Sequence, residues 1–126
     1  TFADVADVKA EIVPGQAKPG DPVTFKLTVS PKAGAWTYPT KGGPGQFGVN
    51  DLTPPAGGPI TFAGPPADPP GAKQKPGLNP GDVELYYPDP VTWELKGTVA
   101  ADAKPGRRTV KLTGASVQAC DEGNCY

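Results

Sequence analysis

Histidine is absent from this chain, and its two cysteines both fall within the last seven residues. Without imidazole the chain alone cannot assemble a Ser-His-Asp triad, a histidine general base or most zinc sites. Nothing else pairs an activated nucleophile with a base, so a conventional hydrolase is the least expected of the readings. No apolar run approaches the roughly 18 residues that a membrane span needs. Charge is nearly balanced, with 12 Lys and Arg against 13 Asp and Glu. The cations are scattered, so no basic stripe is available to hold phosphates, and nucleic acid is not an expected partner. No segment of useful length repeats with a helical period. The chain opens on Thr1 rather than Met, which is compatible with removal of a leader.

What the chain has in excess is glycine and proline, 17 and 18 residues respectively. They are concentrated: 21 of the 43 residues in 39–81 are Pro or Gly, leaving 14 for the other 83. The flanks therefore read as ordinary folded protein and the middle as an elaborate loop region. With 126 residues, the whole chain, 1–126, fits a single domain with one core.

The flanks read as strands. Val8, Ala10 and Ile12 alternate with Lys9 and Glu11. Val23, Phe25, Leu27 and Val29 alternate with Thr24, Lys26, Thr28 and Ser30, the clearest half-buried strand in the chain. A short aromatic segment, Ala35 to Tyr38, is stopped by Pro39. Within the Pro/Gly region, 46–49 and 60–62 are short strand candidates, whereas 64–81 is expected to sustain no ladder because Pro lacks the donor. Val83 to Tyr87 and Val91 to Leu95 follow, then a turn at 102–106. A last long strand starts near Arg107, with Val110 and Leu112 on one face and a bend at Gly114. Trp36 and Trp93 are expected in the core. About seven short strands separated by turns indicate an all-β, immunoglobulin-like β-sandwich carrying a long Pro/Gly-rich insertion, with an open barrel as the lesser option.

Cys120 and Cys125 flank Asp121-Glu122-Gly123-Asn124, a segment suited to a hairpin tip. Residues facing across such a hairpin have Cα atoms about 4.5–5.5 Å apart, within reach of a disulfide. Closing a six-residue ring stabilises a fold by only about 2 kcal/mol, against nearly 5 for a 100-residue loop. That favours a bond meant to open and close, although a structural hairpin disulfide remains open as a reading. Asp121 and Glu122 beside Cys120 are expected to disfavour a thiolate. A close pair with no other soft ligand fits neither a metal site nor any other cofactor.

The closing run Ser116-Val117-Gln118-Ala119-Cys120-Asp121-Glu122-Gly123-Asn124-Cys125-Tyr126 resembles the amino-terminal periplasmic domain of the thiol:disulfide interchange protein DsbD. Lys18-Pro19-Gly20-Asp21, the segment containing Gly34, Trp36 and Tyr38, and the strands at 83–87 and 91–95 are similar to that family's corresponding parts. The resemblance implies an immunoglobulin-like fold, a periplasmic or otherwise extracytoplasmic location and a role as a protein-disulfide reductase component. Electrons would come from a thioredoxin-like donor domain and pass to thioredoxin-fold periplasmic proteins of the disulfide isomerase type. A membrane-embedded part would follow Tyr126. Cys125 would form the mixed disulfide with partners and Cys120 would resolve it. Tyr38 would lie near the pair, and a capping loop at 76–82, containing Leu78, would complete the surround with Asp121 and Glu122. The competing readings are a structural immunoglobulin-like module and a ligand-binding module presenting Trp36, Tyr38, Tyr86 and Tyr87.

Overall fold

The computed structural model describes residues 1–106 and 115–126. The strand expected from Arg107, with Val110, Leu112 and the bend at Gly114, lies outside the described residues.

Four strands make the main sheet: β1 (Ala6–Val13), β2 (Pro22–Pro31), β7 (Val91–Val99) and β4 (Ile60–Phe62), in the order β1-β2-β7-β4 and antiparallel throughout. The period-two pattern of β2 is realised as expected, with Val23, Phe25, Leu27 and Val29 all buried. Opposite them on β7, Val91, Trp93 and Leu95 turn inward, and Trp93 and Leu95 have no exposed surface. Each such side chain contributes about 1.5–3 kcal/mol by leaving water. The short β4 can approach β7 closely because residue 97 is glycine: a Cβ there would come within 2.7 Å of Ile60 Cγ2 and 3.1 Å of the Thr61 carbonyl oxygen.

The remaining strands are shorter. β3 (Trp36–Thr37) pairs with β8 (Ala119–Cys120), and β5 (Lys73–Pro76) forms a hairpin with β6 (Val83–Tyr86). A bridge between Thr37 and Tyr87 joins the two pairs. Ala35, Leu52, Tyr87 and Ala119 from this side share one apolar cluster with Phe25, Leu27, Val29, Trp93 and Leu95 of the main sheet. The architecture is thus all-β and antiparallel.

Several expectations need correction. A strand does form inside 64–81: β5 pairs fully with β6, because Pro76 stands at its last position and costs no interior donor. Residues 46–49 form no strand. Instead, the Gln46 carboxamide bonds both polar groups of Leu85, accepting from its N–H at 2.8 Å and donating to its carbonyl at 3.0 Å. One side chain thereby does the work of a neighbouring strand. In β1, Val8 is 47% exposed and Ala10 is exposed as well, since this edge strand overhangs the core and buries only Ala6. Trp36 is half-buried rather than central. Finally, Phe2–Val5 forms one helical turn, α1, closed by the Asp4 carboxylate accepting from the Thr1 ammonium at 2.7 Å and hydroxyl at 3.1 Å.

The Pro/Gly segment is fastened to this frame at Asp68. Its Oδ1 accepts from Thr40 N–H (2.8 Å), the Thr40 hydroxyl (2.8 Å) and Trp93 Nε1 (3.0 Å), and its Oδ2 from Lys41 N–H (3.0 Å). Next to it, the Tyr87 hydroxyl donates to the Pro69 carbonyl at 2.6 Å. Burial alone would raise the Asp68 pKa, but these donors outweigh it and hold the carboxyl below its ordinary range. The buried Tyr87 phenol is pushed up to about 12, by burial and then by the Asp68 charge.

Because Asp68 is depressed in the folded state, its stabilisation is fully present above the ordinary aspartate pKa of about 4 and is lost as pH falls through and below that value. Asp68→Ala should cost about 1–2 kcal/mol at pH 7, since the half-exposed carboxylate is partly screened. The variant should also show a shallower loss of stability between pH 5 and pH 2 than the parent, by urea titration at each of about five pH values.

Candidate functional site

The two cysteines form a disulfide, Cys120 at the end of β8 and Cys125 after the tip, with Cα atoms 4.1 Å apart. This is slightly closer than hairpin pairing led us to expect. The bridge does not close the hairpin alone. Ala119 N–H donates to the Tyr126 carbonyl at 3.1 Å, and Tyr126 N–H returns a bond to the Ala119 carbonyl at 2.9 Å. Nearer the tip, Asp121 N–H donates to the Asn124 carbonyl at 2.9 Å. Backbone bonds therefore hold both sides of the ring.

The two sulfurs have different surroundings. Cys120 is fully buried, while Cys125 is exposed. The Tyr38 hydroxyl donates to Cys120 Sγ at 3.3 Å, and Trp36 Nε1 donates to the Tyr38 oxygen at 3.1 Å. Both aromatic residues reach the sulfur because Trp36 is the β3 residue paired with Cys120, and Tyr38, two residues on, points to the same side. Burial, and after it the nearby Glu84 carboxylate, raise the Tyr38 phenol above its ordinary pKa, with the Trp36 bond acting against them. Tyr38 therefore keeps its proton where thiols ionise.

Behind this pair stands a cation. Lys75 Nζ lies 3.9 Å from the Trp36 ring centroid, 5.0 Å from that of Tyr86, and 3.4 Å from Glu84 Oε2. The Trp36 and Tyr86 rings meet edge to face at 6.3 Å. Of the four aromatics considered as a ligand patch, Tyr38 and Tyr87 are buried. Trp36 and Tyr86 are half-buried, and Lys75 already covers them.

Register at the site depends on a buried polar junction. Thr37, fully buried, donates its hydroxyl to the Gln118 carbonyl at 2.6 Å and accepts from Asn50 Nδ2 at 3.1 Å. Asn50 Oδ1 accepts from Gln118 N–H at 2.9 Å. This places β8 against β3 so that Cys120 meets Tyr38. Asn50 was not legible as a site residue: a single Asn inside a Pro/Gly stretch carries no pattern.

Of the residues expected around the pair, Tyr38 is where the resemblance places it. Asp121 is turned into the hairpin tip, where Oδ1 accepts from Gly123 and Asn124 N–H, both at 2.8 Å. Those two bonds hold its carboxyl below the ordinary range. Its charge is thus committed to the turn rather than to the sulfur. Glu122 faces solvent. Leu78, in the loop that closes the β5–β6 hairpin, is 85% exposed. With that loop where it stands, Cys125 is exposed to solvent.

Asn50→Ala removes the acceptor for Gln118 N–H and one donor to Thr37, and should cost about 1–3 kcal/mol. Denaturant unfolding measures the loss, and thiol titration of the variant should still find the cysteines paired. The chain matches no protein-family model, no curated protein and no solved structure.

Proposed function

We propose that this chain is an extracytoplasmic thiol–disulfide exchange domain that relays two electrons through Cys120 and Cys125, with the immunoglobulin-like fold that its resemblance to the amino-terminal domain of DsbD implies. The observation that carries the reading is the asymmetry of the bridge: one cysteine is exposed and the other is buried with its sulfur against a hydroxyl donor. On this reading a partner thiolate attacks Cys125 Sγ along the S–S bond, and the electron pair leaves on Cys120. The mixed disulfide on Cys125 is resolved by the partner's second thiol, which forms the partner's disulfide and expels the Cys125 thiolate. Protonation of both sulfurs leaves a dithiol, two electrons and two protons richer. Forward relay reverses the roles: Cys125 attacks an acceptor's disulfide and Cys120 resolves the intermediate. The donor on this reading is a thioredoxin-like domain and the acceptors are thioredoxin-fold periplasmic oxidoreductases.

The backbone bonds between Ala119 and Tyr126 further support a bond that opens in use, because they join the two arms of the hairpin in addition to the bridge. Reduction should therefore cost less than about 2 kcal/mol of stability. Circular dichroism of the reduced protein should show the β spectrum retained, with thermal unfolding lowered by no more than about 8 °C.

Equilibration with glutathione buffers gives the reduction potential. A relay requires a value between about −180 and −270 mV, whereas a bridge serving only as a staple should lie below about −300 mV. Trapping supplies a second measure. Cys120→Ser should accumulate mixed disulfides through Cys125 with thioredoxin-fold proteins, and Cys125→Ser, whose remaining thiol is buried, should accumulate few. Equal trapping by both variants, or a potential below −300 mV, would return the pair to a structural role.

A further inference from the structure

Exchange at Cys125 requires Cys120 to depart as a thiolate, and a leaving sulfur departs faster when its negative charge is stabilised. Cys120 is buried, so solvent cannot supply that stabilisation directly. We infer that Trp36, Tyr38 and Lys75 form a donor relay that stabilises the departing Cys120 sulfur, with Glu84 as its counterweight. The inference rests on the exchange reading given above and assigns the residues that set its rate.

The geometry is sequential. Tyr38 O–H already points at Cys120 Sγ from 3.3 Å. When the Cys120–Cys125 bond breaks, the electron pair localises on that sulfur, and the existing contact becomes a charge-assisted hydrogen bond of roughly twice the neutral strength. No proton needs to cross; Tyr38 retains its own. Trp36 Nε1–H, 3.1 Å from the Tyr38 oxygen, polarises the hydroxyl and strengthens its donation, as chained hydrogen bonds do. Lys75 Nζ over the indole face draws on the ring's electron density and makes the N–H a better donor.

Glu84 acts in the opposite sense. Its carboxylate raises the Tyr38 pKa, and on this inference it draws on the hydroxyl proton that Tyr38 gives to Cys120. Lys75, 3.4 Å from Glu84 Oε2, occupies that carboxylate and leaves the hydroxyl to the sulfur. Lys75 therefore works twice, through the indole and through Glu84. The charged groups close in sequence are Asp121, whose carboxylate is held by the tip N–H groups, and Glu122, which faces solvent.

These are positioning residues, and their signature is a set of effects with opposite signs. The experiment measures the second-order rate at which dithiothreitol reduces the oxidised protein, together with the pH dependence of Cys120 alkylation in the reduced protein, read by mass spectrometry. Tyr38→Phe should slow reduction about tenfold and move Cys120 ionisation to higher pH. Trp36→Phe and Lys75→Met should each slow it about threefold, while Glu84→Gln should leave it equal or faster. Trp36→Phe and Lys75→Met change half-buried groups and stay informative should Tyr38→Phe fold poorly. Rates within twofold of the parent for Trp36→Phe and Lys75→Met, with Cys120 ionisation unmoved, would overturn the relay. A first adduct found on Cys120 rather than Cys125 would instead strike the exchange reading itself, so the two failures are distinct.

Discussion

Thr37 is the point at which this structure is tied together. It has no exposed surface and makes four hydrogen bonds: two backbone bonds with Tyr87, its hydroxyl to the Gln118 carbonyl, and one accepted from the Asn50 amide. Three segments remote in sequence thus meet on one residue. A buried hydroxyl left without partners would cost about 1–3 kcal/mol, so each of these bonds also demands its neighbours. The consequence reaches the sulfurs. Thr37 fixes β8 against β3, and its flanking residues Trp36 and Tyr38 then stand on the side where Cys120 arrives. Shift β8 by one residue and its side chains exchange faces, removing Cys120 from the hydroxyl.

The parts of this arrangement that obey backbone periodicity could be read directly. The alternation of β2, the inward Trp93, the β6 and β7 segments and the hairpin spacing of the cysteines all follow from period-two burial and turn chemistry. What escaped were side chains that replace backbone partners. Gln46 satisfies Leu85 as a strand would, Asp68 gathers four donors from the 40–41 turn and from Trp93, and Asn50 bridges Thr37 to Gln118. All three lie in the Pro/Gly region. A chain poor in regular ladders must satisfy its polar groups somewhere, and it uses amide and carboxylate side chains whose partners are distant in sequence. No local pattern announces them.

The same reasoning applies to the acid beside Cys120. Placed beside Cys120 in sequence, Asp121 reads as a charge on the thiol. In three dimensions its carboxylate is engaged by two N–H groups at the tip, those of Gly123 and Asn124. The carboxylate that does neighbour the sulfur's hydroxyl donor is Glu84, on a different strand and balanced by Lys75. The donor behind the sulfur thus meets a carboxylate and a cation that are remote from Cys120 in sequence.

From this follows a distinction between holding the hairpin and holding its electrons. The Ala119–Tyr126 backbone pair closes the ring beside the disulfide, and the Asp121 turn shapes its tip. The bridge adds little constraint to a loop already closed by these bonds. Its free energy is then governed by the sulfurs' own surroundings, a buried Cys120 with a phenol donor and an exposed Cys125, rather than by the fold they staple. On the exchange reading, a ring with backbone bonds of its own can let the bridge open, and a donor behind Cys120 favours that sulfur as the one that leaves.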